Sequence, residues 1–127
     1  MSTLAEDRDE ILQLLYRYSH EMDSHDVVAW VGLFTDDGVF DAGNGRVATG
    51  PERLAKFAAS AAGTTMRHIV GNPVIDVTGD TAQAEVYLTL LREGSIALTG
   101  TYHDELVRTP KGWRFAKRTF TPDTSPS

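Results

Sequence analysis

The sequence predicts an α+β fold in which helices pack over the concave face of a curved antiparallel sheet and form a cone-shaped pocket. Two observations predict this fold. Apolar residues recur at helical spacing in the first part of the chain, and from residue 64 the period changes to two, in segments separated by short turns. A strongly twisted sheet of this kind curls, so helices laid across its hollow leave a cavity.

We expect one domain at residues 1–121, followed by a flexible tail at residues 122–127. A chain of 127 residues is long enough for one hydrophobic core and too short for two. The final segment is short and polar, as loose chain ends commonly are.

The first helix should begin at Thr3, because Thr3 and Glu6 have the spacing of a capping box. Its apolar residues fall within about 40° of one line at about 100° per residue, so they should face the core. These residues are Leu4, Ile11, Leu15, Tyr18 and Met22. Asp26 should cap a short second helix over residues 27–34.

The rest of the chain predicts a third helix and six strands. Residues 35–38 should form a turn, and residues 39–41 and 46–49 should then pair as a hairpin. The third helix should begin at Pro51, where a missing N–H costs nothing. A turn-forming segment at residues 71–73 could interrupt the first of the longer strands. Those strands are predicted at residues 65–77, 81–92, 96–108 and 113–121.

Composition excludes several classes of protein. The formal net charge is -6, with no run of Lys or Arg that could neutralise phosphates, which argues against a nucleic acid or an anionic membrane as partner. The lack of cysteine excludes disulfides, thiol nucleophiles and cysteine-ligated metal sites. The N-terminal residues are charged, and no apolar stretch is long enough to span a membrane. We therefore expect a cytoplasmic protein.

Polar residues interrupt the apolar pattern at three places. Tyr18 and Asp23 lie near the end of the first helix, His68 lies in a predicted strand, and Arg118 lies in the last strand. We expect Tyr18, Asp23 and His68 to meet at one cavity, although Tyr18 could equally be an ordinary core residue. On an ideal helix Tyr18 and Asp23 point about 140° apart, so the helix should end or unwind between them.

Six landmarks follow one another along the chain. They are Tyr18-x4-Asp23-x2-Asp26, Leu33-Phe34-x2-Asp37, Gly50-Pro51-Glu52, His68-x3-Asn72, Gly100-x-Tyr102-x-Asp104 and Gly112-Trp113-Arg114-Phe115-x2-Arg118. Together they resemble the SnoaL-like family of the nuclear transport factor 2-like, or cystatin-like, superfamily. The resemblance covers roughly Ala5 to Phe120 and implies the cone-shaped fold described above.

The resemblance also implies a site. The family includes polyketide cyclases and lyases such as scytalone dehydratase, bile-acid 7α-dehydratase and hexachlorocyclohexane dehydrochlorinase. Asp23 and His68 stand where these lyases place an aspartate–histidine dyad. Tyr18 matches a tyrosine of the bile-acid dehydratase, and Arg118 matches a basic residue of the dehydrochlorinase. The implied activity is that of a lyase or isomerase that requires neither a cofactor nor a metal.

These four residues could carry out a β-elimination. A neutral imidazole has an unperturbed pKa of about 6.5, so His68 could remove a carbon-bound proton near neutral pH. The Asp23 carboxylate would fix the tautomer and stabilise the imidazolium that forms. Tyr18 would donate a hydrogen bond to a substrate oxygen or leaving group, and Arg118 would stabilise developing negative charge.

Other interpretations stay open. His68 could be a hydrogen-bonded structural residue, and Asp23 could cap the second helix. His25 could touch the cavity mouth, whereas His20 should face solvent and His103 should lie on the outer face of the sheet or at an interface. The same cavity could also serve a non-catalytic ligand-binding protein or an accessory subunit of a larger enzyme.

The pocket should hold a small apolar, aromatic or polycyclic molecule with few polar contacts. The residues predicted to bind it are Trp30, Phe34, Phe40, Met66, Val70, Tyr87, Tyr102 and Asp104, of which the family resemblance favours the last two. The strands at residues 81–92 and 96–108 carry apolar residues on both sides, which favours a homodimer or a higher homo-oligomer.

Overall fold

The computed structural model describes residues 1–123, which form three helices and one six-stranded sheet. The helices are α1 (Leu4–Asp23), α2 (Val27–Val31) and α3 (Pro51–Ala59), and the strands are β1 (Phe34–Asp41), β2 (Val47–Thr49), β3 (Met66–Thr78), β4 (Thr81–Arg92), β5 (Ser95–Thr109) and β6 (Gly112–Pro122). The predicted α+β class is confirmed. Within this part of the chain, no helix is both long and apolar enough to cross a lipid bilayer.

The sheet has the strand order β2-β1-β6-β5-β4-β3, and its neighbouring strands are antiparallel except for β1 with β6. Helix α1 packs across one face of this sheet, against β3 and β6. Because side chains alternate along a strand, only every second residue faces the helix. On β4 these inward residues are Ala82, Ala84, Val86, Leu88 and Leu90, all of them buried.

Helix α1 begins as the sequence predicts. The Glu6 N–H donates to the Thr3 hydroxyl over 3.1 Å, and the Thr3 N–H donates to the Glu6 carboxylate over 2.9 Å, which completes the capping box. The helix then continues without a break to Asp23. The expectation that it ends or unwinds between Tyr18 and Asp23 is therefore wrong.

The segment after α2 departs from the prediction. Helix α2 ends at Val31, and Phe34 already belongs to β1. Residues 35–38, predicted as a turn, lie within β1, where the pairing with β6 is irregular between Phe34 and Val39. Phe34 pairs with Phe115, so contacts with the sheet override the helical pattern and the turn-like composition.

Strand β3 carries one extra residue near its middle. Gly71 pairs with Tyr87 and Val74 with Glu85, so three steps along β3 correspond to two steps along β4. Asn72 lies in this bulge and adopts a φ of 53°. The interruption predicted at residues 71–73 is thus a bulge, and the strand continues through it.

The end of β6 corrects the predicted tail. Pro122 is the last residue of β6, and the Thr99 hydroxyl donates to the carboxylate of Asp123 over 2.8 Å. These two residues belong to the folded structure. Residues 124–127, the remainder of the predicted tail, lie outside the described residues.

An ion pair joins the first turns of α1 to the end of β5. Arg108 donates from both Nη atoms to the two carboxylate oxygens of Asp7, over 2.8 and 2.9 Å. Ser2 and the Trp113 indole also donate to this carboxylate, over 2.6 and 3.3 Å. The hydrogen bonds from Arg108 and Ser2 lower the pKa of Asp7 well below its usual range.

This arrangement predicts a pH-dependent loss of stability in an Asp7→Asn variant. A carboxyl whose pKa is lowered by folding stabilises the protein above its unfolded pKa, and this stabilisation disappears as the pH falls through the folded pKa. We expect a lower melting temperature for the variant at neutral pH, and a difference from wild type that shrinks in strong acid. The control is Asp9→Asn, at an exposed position two residues further along the same helix, and this variant should melt like wild type.

Candidate active site

A cavity of about 240 Å³ lies between α1, α3 and the inner face of the sheet. Its buried part is mainly apolar, with two tyrosines. The buried lining residues are Tyr18, Met22, Phe40, Ala42, Met66, Leu88, Leu90, Tyr102 and Phe120. Half-buried and exposed residues complete the lining toward solvent: His68, Phe57, Ala61, Thr64, Leu98, Ser60, Arg46 and Arg92.

Asp23 and His68 form a close pair. Nδ1 of His68 lies 2.6 Å from Oδ1 of Asp23, and the His68 backbone N–H is shared between the two carboxylate oxygens at 3.0 and 3.2 Å. The side chains are only 9% and 10% exposed. An ionised carboxylate can only accept, so the imidazole places its proton on Nδ1 and leaves Nε2 free to accept one.

Tyr18 and Asp23 both lie near His68, although the helix that carries them is unbroken. Tyr18 and Met22, one turn apart, line the cavity, whereas Asp23 lies outside the lining and contacts His68 at Nδ1 and at the backbone. The Tyr18 ring lies edge-on to the imidazole, with 6.1 Å between ring centroids. His68 and Tyr18 thus face the cavity, and Asp23 contacts His68 from outside the lining.

Two buried tyrosines lie side by side at the cavity. The ring centroids of Tyr18 and Tyr102 are 5.4 Å apart. Burial raises the pKa of Tyr18 well above its usual value, and the neighbouring Tyr102 adds to the shift. Burial also raises the pKa of Tyr102 to about 12, against the opposing charge of Arg118. Both phenols therefore keep their protons near neutral pH and can donate hydrogen bonds.

Arg118 lies behind these tyrosines and has no exposed surface. Its guanidinium carbon is 3.5 Å from the ring centroid of Tyr102 and 4.2 Å from that of Tyr18, which is cation–π geometry. Arg118 is absent from the cavity lining. Arg118 therefore lies outside the cavity, behind the rings of Tyr18 and Tyr102.

Asp104 is the acidic partner of Arg118. Nε of Arg118 lies 2.9 Å from Oδ1 of Asp104, outside good hydrogen-bond alignment, and neither Nη atom has a hydrogen-bond partner within residues 1–123. Burial raises the pKa of Asp104 to about 6, although the positive charge of Arg118 opposes the shift. Asp104 is the counter-charge of a buried cation and is absent from the lining of the cavity, so its predicted place in the pocket is wrong.

Only some of the residues predicted to bind the ligand line the cavity. Phe40, Met66 and Tyr102 line the cavity. Trp30 and Phe34 are buried in the aromatic core, and Val70 packs against the edge of that core. Tyr87 lies on the outer face and is 54% exposed, so its predicted place in the pocket is wrong. The reason is the two-residue period of β4, which turns Leu88 and Leu90 inward and Tyr87 outward.

Several lining residues were missed by reasoning from the sequence. Met22 lies four residues after Tyr18, which is the helical spacing for one face, and this spacing could have identified it. Phe57 of α3 and Phe120 of β6 had no comparable signal, because their place depends on how distant elements pack. Arg46 and Arg92 also gave none, since exposed arginines are common on any surface.

The other three histidines lie outside the lining of the cavity. His20 and His103 are exposed, as predicted. His25 adopts a φ of 61°, and its Nε2 lies 2.8 Å from the carbonyl oxygen of Thr64, which links the end of α1 to the loop before β3. Within residues 1–123, no three His, Cys, Asp or Glu side chains are grouped so that they could hold a metal ion.

A curved sheet that encloses an apolar cavity beneath a long helix defines a cystatin-like fold. The model of the SnoaL-like domain matches residues 3–119, and the chain belongs to the SnoaL-like family. No functionally curated protein matches the sequence.

Solved structures agree with this assignment. Rv3472, a protein of unknown function from Mycobacterium tuberculosis, is 29% identical with a TM-score of 0.86, over 91% of this chain and 76% of the other. A cystatin-like protein of unknown function from Nostoc punctiforme is 26% identical with a TM-score of 0.87, over 98% and 97%. A candidate scytalone dehydratase from Novosphingobium aromaticivorans is 21% identical with a TM-score of 0.84, over 95% and 86%, and shows the shared fold alone.

The buried pair of Asp104 and Arg118 predicts strong energetic coupling. Removing one partner leaves an uncompensated buried charge, so Arg118→Met and Asp104→Leu should each cost about 3–5 kcal/mol of unfolding free energy. The double variant should cost clearly less than the sum of the two. Urea unfolding of all four proteins measures the coupling, and additive costs would show that the pair does not interact.

Proposed function

We propose that the protein is a cofactor-independent lyase or isomerase that acts on a small, mostly apolar cyclic molecule held in the cavity. The observation that carries this proposal is the contact of 2.6 Å between Asp23 and His68 at the edge of an open apolar cavity. A carboxylate that holds Nδ1 leaves Nε2 as the basic atom, on the side of the ring away from Asp23. This arrangement suits removal of a proton from carbon.

The reaction would proceed by β-elimination or by movement of a double bond. In the elimination, His68 Nε2 takes the proton, the C–H electron pair forms the new double bond, and the leaving group departs with the electrons of its own bond. In the isomerisation no group leaves, and the imidazolium returns the proton to another carbon of the shifted double-bond system. Asp23 stabilises the imidazolium while it exists. Tyr18 donates a hydrogen bond to the substrate oxygen or leaving group on which negative charge develops.

Arg118 would assist as a positioning residue. Its charge lies against the rings of Tyr18 and Tyr102. This charge acts to lower the pKa of both phenols, whereas burial raises it. A phenol beside a buried cation is a better hydrogen-bond donor to an oxyanion than one in a purely apolar pocket. Asp104 balances the charge of this buried cation.

The size of the cavity narrows the expected substrate. Sites for drug-sized ligands usually enclose about 300–1,000 Å³. At about 240 Å³ this cavity favours a molecule that buries one or two rings. A four-ring molecule would leave much of its surface outside the cavity.

The base can be tested before the substrate is known. In 5-nitrobenzisoxazole a base removes a carbon-bound proton, the N–O bond breaks and a coloured phenolate forms, so absorbance reports the rate. We expect the wild type to accelerate this reaction, and His68→Ala to lower the rate by at least about 100-fold, as loss of a general base does. Asp23→Asn should lower it less, because the imidazole remains. His103→Ala, on the outer face, is the control.

The same geometry leaves a second candidate function, which is non-catalytic binding of a small molecule or a role as an accessory subunit. The observation in its favour is that Asp23 also accepts from the His68 backbone N–H, a contact that fastens α1 to β3 without any catalysis. In that case His68→Ala, which keeps the backbone contact, would leave proton abstraction unchanged, and Asp23→Ala would lower the melting temperature more than His68→Ala does. A wild type no faster than His68→Ala would contradict the lyase proposal.

We also infer that the outer face of the sheet contacts a second copy of the chain. Ile69, Val74 and Tyr87 are each more than half exposed on neighbouring strands β3 and β4. Exposed apolar residues that are contiguous commonly mark interaction sites. A symmetric dimer would bury the same patch on both copies.

This inference predicts that charge on the outer face separates the copies. Ile69→Glu with Tyr87→Glu should halve the mass measured by light scattering after gel filtration, because each copy would contribute two carboxylates to a desolvated patch. Val28→Glu, an exposed position on α2, is the matched control and should leave the mass unchanged. A monomeric wild type would contradict the inference.

A further inference from the structure

The lining of the cavity has a charge opposite to that of the whole chain. The protein carries a formal net charge of -6, with 18 Asp and Glu residues. Among residues 1–123, no Asp or Glu lines the cavity, whereas Arg46 and Arg92 both do. Both arginines are exposed, so they lie at the mouth and not in the buried part.

Neither arginine forms an ion pair with an acidic side chain of residues 1–123. The nearest acids along the chain are engaged elsewhere. Asp41 accepts a hydrogen bond from the Gly43 N–H over 3.0 Å, and Glu93 accepts one from the Thr65 N–H over 3.3 Å. The two guanidinium groups are therefore available to an anion from outside the chain.

We propose that the ligand is an amphipathic carboxylate, whose ring enters the cavity and whose carboxylate is held at the mouth by Arg46 and Arg92. This inference rests on the proposed small-molecule site and adds the chemical class of its ligand. A guanidinium presents paired N–H donors that match the two oxygens of a carboxylate. The apolar lining behind the arginines then receives the ring, which loses water favourably.

The polar groups inside the cavity support this orientation of the ligand. His68, Tyr18 and Tyr102 lie on the less exposed part of the lining, and the arginines lie at its opening. A carboxylate at the mouth directs the far side of the ring toward the imidazole and the phenols. The same anion placed in the buried part would lose its hydration to a mainly apolar surface, which is costly.

Solvated arginines without a binding role are the ordinary alternative. Their aliphatic stems could simply cover the apolar rim of the cavity. That role would affect charged and neutral ligands equally. A role in carboxylate binding affects only the charged one, so the ratio of the two affinities separates the alternatives.

The test compares 2-naphthoate with its neutral amide, 2-naphthamide, by isothermal titration calorimetry at neutral pH. We expect wild type to bind the carboxylate at least about tenfold more tightly than the amide, a difference typical of one hydrogen bond to a charged group near solvent. The Arg46→Gln/Arg92→Gln variant should lose this preference while its affinity for the amide is kept. Arg46→Lys/Arg92→Lys should keep part of it, because the charges remain.

The control is Arg67→Gln, which removes an exposed arginine from the outer face of β3 and should keep the wild-type preference. Equal affinities of wild type for acid and amide, a preference that survives the double Gln variant, or binding of neither probe would each overturn the proposal. Because the assay measures binding without turnover, it is independent of the role of His68. A protein that binds naphthoate through the arginines but does not abstract protons would keep this inference and lose the lyase proposal.

Discussion

The carboxylate of Asp23 is the point at which the helical layer and the sheet are joined around the cavity. It holds both the backbone N–H and the imidazole of His68, so one side chain fixes the position of α1 over β3 and the orientation of the ring. Once α1 is placed in this way, Tyr18 and Met22 necessarily face the hollow of the sheet. The position of the end of α1 over β3 and the direction of the imidazole thus depend on the same carboxylate.

A second, fully buried charge pair shapes the wall behind the tyrosines. Arg118 and Asp104 lie on paired strands, at positions that face each other across β5 and β6. An apolar pair would fill the same space at a lower cost in desolvation. The cation is in contact with the faces of Tyr18 and Tyr102, which gives the pair a clear effect on the chemistry of those phenols.

The predictable part of the structure is local or periodic. The capping box at Thr3, the helix at Pro51 and the alternation along β4 follow from spacing alone, and the family resemblance supplied the pairing of Asp23 with His68. Long-range packing was not predictable. Phe34 joined β1 because Phe115 lies opposite it, and α1 did not have to unwind because His68 reaches Asp23 from the sheet.

The bulge at Asn72 determines which side chains of the two halves of β3 face inward. Ahead of it, His68 faces the inner side opposite Leu90, and beyond it Ile75 faces the same side opposite Ala84. These positions differ by an odd number of residues, so only the extra residue lets both point inward. Deletion of one residue here would turn either His68 or Ile75 to the outer face of the sheet. The length of this strand is therefore under tighter constraint than the identity of most of its residues.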